Sequence, residues 1–217
     1  MRLNIIKPAA AYLRQQLDLT PDQEEVAAYG LQLLLYPLLD FALICLAGWL
    51  LGCLGATVTA ALSAALVRFF SHGAHSRSPV ICALIGLIVF PVLGRLALAS
   101  AHFLTGVSLI LTILLGFIVS MFIVWRLSPV DSPAKRITSG EERRKLRLHS
   151  LAAVVFITAL QGALLLWTIQ AAAVVLAMSF GLWWQAFSLT GPGHRFAAVL
   201  DKIIIGKEEN PHEASNL

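Results

Sequence analysis

Apolar residues dominate the chain in long stretches broken by short polar gaps. The stretches fall at about 31–51, 53–67, 80–100 and 103–125, followed by an uncharged run from Ser150 to Leu189. A helix crossing a membrane needs about 20 apolar residues, so the last run predicts two helices in a hairpin turning near "LWTIQ", 166–170. Six spans result, the second one short. Unsatisfied backbone groups are too costly in lipid, and no alternating strand pattern argues for a barrel, so each span is expected to be a helix. Ahead of them, "LNIIKPAAAYLRQQL" (3–17) places Ile6, Ala10, Leu13 and Leu17 at helical spacing. That pattern predicts an amphipathic helix at the membrane interface, although Pro8 sits close to its start. "TPDQEE" (20–25) then offers Thr20 as an N-cap, Pro21 as a first helical residue and acids for the helix N-terminus. The expected architecture is an all-α integral membrane protein forming one membrane domain over 1–217. It comprises an N-terminal arm (1–30), a six-helix transmembrane bundle (31–190) and a tail (191–217) in which "GPGH" ends the sixth span. The final "KEENPHEASNL" is expected to be a solvated, disordered tail.

Composition strengthens the membrane assignment. The 217 residues are 58% hydrophobic and 13% charged, against roughly 25% charged in a soluble domain. The first 25 residues are charged throughout and lack the apolar core of a cleavable leader. Three cysteines, Cys45, Cys53 and Cys82, in apolar settings do not make a disulfide framework. The net charge of +4 is concentrated in patches. Fifteen of the sixteen Lys and Arg residues lie in the N-terminal arm, the connections after spans two and four, and the C-terminal tail. With six spans these regions share one side, which the positive-inside rule makes the cytoplasm. Both termini and both polar connections are therefore expected there. Charge interrupted by Glu141 and Glu142, and lying against a membrane, is expected to meet anionic lipid and not nucleic acid. Asp131 and Lys135 in the same connection are expected to be solvated, or to dock a partner.

The densest chemistry lies in "RFFSHGAHSRSPVIC", 68–82. On one continuous helix His75 and Cys82 would sit two turns, about 10 Å, apart. Ser78 and Pro79 instead suit a helix start, which puts Cys82 in the first turn of span three and leaves His75 in a loop free to fold back. The positive end of a helix, with Arg68 and Arg77 nearby, suits a thiolate. A histidine in reach can take the thiol proton and return it to a leaving amine. Gly73 permits the tight turn such a loop needs. A packed cysteine beside lipid-contacting basic residues is the plainer alternative. The pair His72 and His75 lacks a third ligand at short spacing, so no metal or other cofactor is expected.

This segment resembles the signature of the accessory gene regulator B (AgrB) family, membrane cysteine endopeptidases of Gram-positive quorum sensing. Arginine, a glycine-rich turn, histidine and a cysteine seven residues later map onto Arg68, Gly73, His75 and Cys82. "SPVDSPAKRITSGEERRKLRLHS" (128–150) resembles the family's P-V-D loop and basic run, and "YGLQLLLYPL" (29–38) is a weaker match. The family often has two glycines before the histidine; here the first is His72, a rival base, and spacing to the cysteine favours His75. The resemblance implies that Cys82 attacks the scissile carbonyl of an AgrD-like precursor peptide, with His75 as base and then acid. Arg68 would hold substrate or stabilise charge, with Gly73 and Arg77 in the same site. The N-terminal product would be cyclised through the thioester, by a protein working as a homodimer. A non-catalytic small peptide transporter or exporter is the alternative. Asp40 and Arg95, inside spans, are expected to pair or otherwise serve structure.

Overall fold

The computed structural model describes residues 6–74, 76, 78–131, 137–167 and 171–205. Among them are eight helices and no strand: α1 (Ile6–Leu17), α2 (Pro21–Leu50), α3 (Leu54–Ser71), α4 (Pro79–Ser100), α5 (Val107–Leu127), α6 (Gly140–Trp167), α7 (Ala172–Leu189) and α8 (Gly191–Ile205). Helices α2 to α7 are all long and apolar enough to cross a membrane. The six spans thus follow the hydropathy pattern, and the expected hairpin break falls between α6 and α7.

The chain divides into two compact units, 1–43 and 44–217. In the first, α1 starts at Ile6, so Pro8 falls in the opening turn, where a missing N–H removes no helical bond. Its buried residues are Ile6 and Ala10. Thr20 caps α2 as expected: the Gln23 N–H donates to Thr20 Oγ1 at 3.3 Å, and the Thr20 N–H donates to Gln23 Oε1 at 2.9 Å. This reciprocal capping box satisfies two donors at once. Arg14 pairs with Glu24 at 2.9 Å on the exposed surface. Helix α2 then continues unbroken through Pro37, so the polar "TPDQEE" start and the first apolar stretch form one 30-residue helix.

In the second unit α7 is central and the most buried of the spans; it packs against α3, α4, α5, α6 and α8. Close approach is bought with small residues, as membrane helices require when lipid offers no hydrophobic gain. A Cβ on Gly181 of α7 would strike the Ala60 carbonyl of α3. Val175, Leu176 and Ala177 are fully buried beside Ala60 and Ala97. Inside the bundle, Gln161 of α6 donates from Nε2 to the Val175 carbonyl at 3.0 Å and to Ser179 Oγ at 2.8 Å. Large apolar side chains such as Leu115, Ile118 and Phe122 of α5 are exposed, as a lipid-facing surface demands.

Two sequence expectations need correction. The basic run after Ser139 is not a loop; it forms the first turns of α6. "GPGH" does end the sixth span, but it also opens α8, because Thr190 caps the new helix through Oγ1 to the Gly193 N–H at 3.3 Å. Residues 206–217, including the whole of the tail expected to be disordered, lie outside the described residues.

Candidate functional site

The α3–α4, α5–α6 and α7–α8 connections meet at one end of the second unit. Helix α3 stops after Ser71 because His72 takes a positive φ of 57°, its N–H still bonded to the Arg68 carbonyl at 2.8 Å. Gly73 follows with φ 146°, a conformation that side-chain-bearing residues rarely adopt. Four side chains then hold this turn. Arg68 Nη2 donates to the Ala74 carbonyl at 2.7 Å. Gln185 Nε2, on α7, donates to the His72 carbonyl at 2.7 Å and to Ser71 Oγ at 3.0 Å. Ser71 Oγ in turn donates to the His72 carbonyl at 3.2 Å. Ser188 braces Gln185 through Oγ to Oε1 at 3.2 Å, and its carbonyl accepts the Ala74 N–H at 2.9 Å.

Further along, Ser78 has the extended conformation of an N-cap (φ −102°, ψ 124°), with Pro79 opening α4. The start is where the sequence placed it, but the Ser78 side chain makes no capping bond. Ser76 acts there instead: its Oγ accepts the Ser78 N–H at 3.0 Å and donates to Asp201 Oδ1 of α8. Cys82 lies one turn into α4, half-buried, with its N–H on the Ser78 carbonyl at 3.2 Å. It lies within electrostatic range of the half-buried guanidinium of Arg68. The fold therefore brings Arg68, Gly73 and Cys82 together. His75 and Arg77 lie outside the described residues. His72 is described, and its Nδ1 is buried with no hydrogen-bond partner among the described residues.

The α5–α6 connection is tied to the same place. The Val130 N–H donates to the Ser71 carbonyl at 3.1 Å. Arg143 of α6 forks onto Asp131 with both bonds at 2.8 Å, and Arg147 Nε donates to the Ser128 carbonyl at 2.8 Å. Two bases of the run expected to meet lipid are thus used to fold the loop. Asp131 is exposed, as expected of a solvated charge, and is also paired. Lys135 lies outside the described residues. In the spans, Arg95 is exposed on α4 and Asp40 is half-buried in α2.

The accessory gene regulator B family model matches residues 6–189. The chain belongs to the AgrB family. Two AgrB-like proteins of Clostridium perfringens are similar along nearly their whole length. One, from strain 13 / Type A, is an AgrB-like protein 2, 27% identical over 209 residues that cover 92% of this chain and 96% of the relative. The other, from strain SM101 / Type A, is 26% identical over the same coverage. No solved structure gives a significant match. Membership places this AgrB chain in the agr quorum-sensing system, in the processing of its peptide, with an AgrD-like peptide as partner.

Gln185, Ser188 and Asp201 were not among the residues singled out in the sequence. A signal was present for two of them: polar side chains inside an uncharged membrane run are costly and usually have work to do.

Proposed function

We propose that this AgrB chain is a membrane cysteine endopeptidase and peptide cyclase. The observation that carries the reading is the placement of Cys82 in the first turn of α4, within electrostatic range of an Arg68 guanidinium fixed by the Ala74 carbonyl. Cys82 Sγ attacks the scissile carbonyl of the precursor, and His75 takes the thiol proton. Arg68 and the positive end of α4 favour the charge on the tetrahedral oxyanion. The C–N bond then breaks, His75 gives its proton to the leaving amine, and the N-terminal portion remains as a thioester on Cys82. A thiol or hydroxyl inside that portion gives its proton to His75 and attacks the thioester carbonyl, the bond to Cys82 breaks, the proton returns to the Cys82 sulfur, and a thiolactone or lactone closes. Where the internal nucleophile is a cysteine, one thioester replaces another at little cost, so the ring needs no ATP.

On this reading the site end of the bundle faces the cytoplasm, with both termini on that side. The support is the clustering of Lys and Arg in the connections at that end. Exposed Arg144 and Lys145 face anionic head groups, each contributing about 1 kcal/mol. The protein acts as a homodimer on this reading, as the family resemblance implies. To test it, a candidate precursor is incubated with the protein in liposomes and followed by mass spectrometry beside Cys82→Ala. Release of a C-terminal fragment by wild type alone is expected. Equal cleavage by Cys82→Ala contradicts the reading, and Cys82-independent movement of intact peptide across the liposome would make the protein a transporter.

A further inference from the structure

We infer that Asp201 of α8 is a positioning residue for Cys82, acting through Ser76 on the N-terminus of α4. The inference deepens the proposed cysteine chemistry and rests on it. Asp201 Oδ1 accepts the Ser76 hydroxyl, and the same Ser76 oxygen accepts the Ser78 N–H at 3.0 Å. The Ser78 carbonyl accepts the Cys82 N–H at 3.2 Å. A continuous chain of bonds therefore runs from a residue on the last helix to the nucleophile's own backbone.

Three features fit a device that fixes a position. A serine hydroxyl has one proton and spare lone pairs, so donating to Asp201 sets the direction from which Ser76 receives Ser78. The hydroxyl of Ser78, the usual capping group, makes no cap bond. Ser76 thus holds the Ser78 backbone, and Asp201 holds Ser76. Asp201 also lies on the inward side of α8. Gly193 and Ala197 are buried and Leu200 and Asp201 half-buried, whereas Phe196, Val199 and Ile203 are exposed. The carboxylate is thus anchored by a helix that docks on α7 and α4. A charge-assisted bond is shorter and stronger than a neutral one, which suits holding a helix end where α4 begins.

The test compares Asp201→Ala, Asp201→Asn, Ser76→Ala and the double Asp201→Ala/Ser76→Ala variant of the full chain in liposomes. Two readouts are taken: steady-state cleavage of the precursor, and the rate of Cys82 alkylation by a soluble maleimide, resolved by site with mass spectrometry. Asp201→Ala is expected to lower kcat about 10- to 100-fold, the scale of misplacing a reacting group by about 1 Å, with KM changed less than twofold. It is also expected to change Cys82 alkylation several-fold. Asp201→Asn, whose side-chain carbonyl still accepts from Ser76 through a weaker neutral bond, restores part of both. The double variant should lose less than the product of the two single losses, since Ser76→Ala and Asp201→Ala share one link. Wild-type values for Asp201→Ala, additive losses in the double variant, or an Asn variant as impaired as Ala would each overturn the inference. The alkylation rate reads the chain of bonds whether or not the precursor is cleaved. A wild type without Cys82-dependent cleavage therefore counts against the peptidase reading, and an unchanged alkylation rate in Asp201→Ala counts against the positioning role.

Discussion

Replacing Gly73 by alanine tests how tightly the turn before the candidate nucleophile is built. The φ of 146° lies where a Cβ is strained, at a cost of about 1–3 kcal/mol. The added methyl would stand 2.7 Å from Ser188 Oγ, 3.3 Å from Arg68 Nη1 and 3.4 Å from Gln185 Nε2. The first of these is far inside contact distance, so Ser188 must turn away from the Gln185 carbonyl, to which it donates at 2.8 Å. Losing that bond costs about 1 kcal/mol more. Together the two effects come to about 2–4 kcal/mol. At about 2–4 °C per kcal/mol for a chain of this size, the thermal midpoint in detergent should fall by about 4–16 °C. Precursor cleavage should fall at least tenfold, because Arg68 is displaced from the Ala74 carbonyl. Ser188→Ala alone removes that same hydrogen bond and should cost about 1 kcal/mol by itself, so adding it to Gly73→Ala should cost almost nothing further. A Gly73→Ala protein that melts and cleaves like wild type would refute the reasoning. A double variant that loses a full further ~1 kcal/mol beyond Gly73→Ala would refute its division into two parts.

Three further outcomes are expected. Gln185→Met keeps the bulk of the side chain but removes the donors to His72 and Ser71, and should cost about 1–2 kcal/mol with a matching loss of cleavage, read by thermal melting and precursor turnover. Gly181→Ala forces α7 away from the Ala60 carbonyl of α3 and should lower the thermal midpoint by several degrees, whereas Gly162→Ala, with open space around its Cβ position, should not. Asp131→Asn weakens an ion pair whose side chains are 49% and 38% exposed, so its effect on the melting point should stay below about 1 kcal/mol and shrink in 1 M salt.

Much of the architecture is legible in the sequence because lipid imposes a simple rule: about 20 apolar residues per crossing, with helical backbone throughout. The start of α4 is also legible, since Ser78-Pro79 carries its own local start signal. Helix α8 is harder to read. Its Gly-Pro-Gly opening serves equally as a terminator, and only the Thr190 cap and the 193, 197, 200, 201 periodicity of its inward face mark a new helix. The cradle around Gly73 is harder still. Gln185 meets Ser71 across 114 positions and Asp201 meets Ser76 across 125, and a single sequence holds no record of such pairings. Arg143 and Arg147 show the same limit: charge alone suggested lipid, and the fold uses both to tie down the Ser128–Asp131 segment.

The most direct measurement is the mass of Cys82 itself after reaction with a precursor whose internal nucleophile has been replaced by alanine. Without that thiol or hydroxyl the ring cannot close, so the acyl-enzyme should accumulate. The account predicts an adduct on Cys82 equal in mass to the N-terminal portion of the precursor, released by hydroxylamine and missing in Cys82→Ala. Cleavage of that precursor with no adduct on Cys82, or with an adduct on another residue, would contradict it.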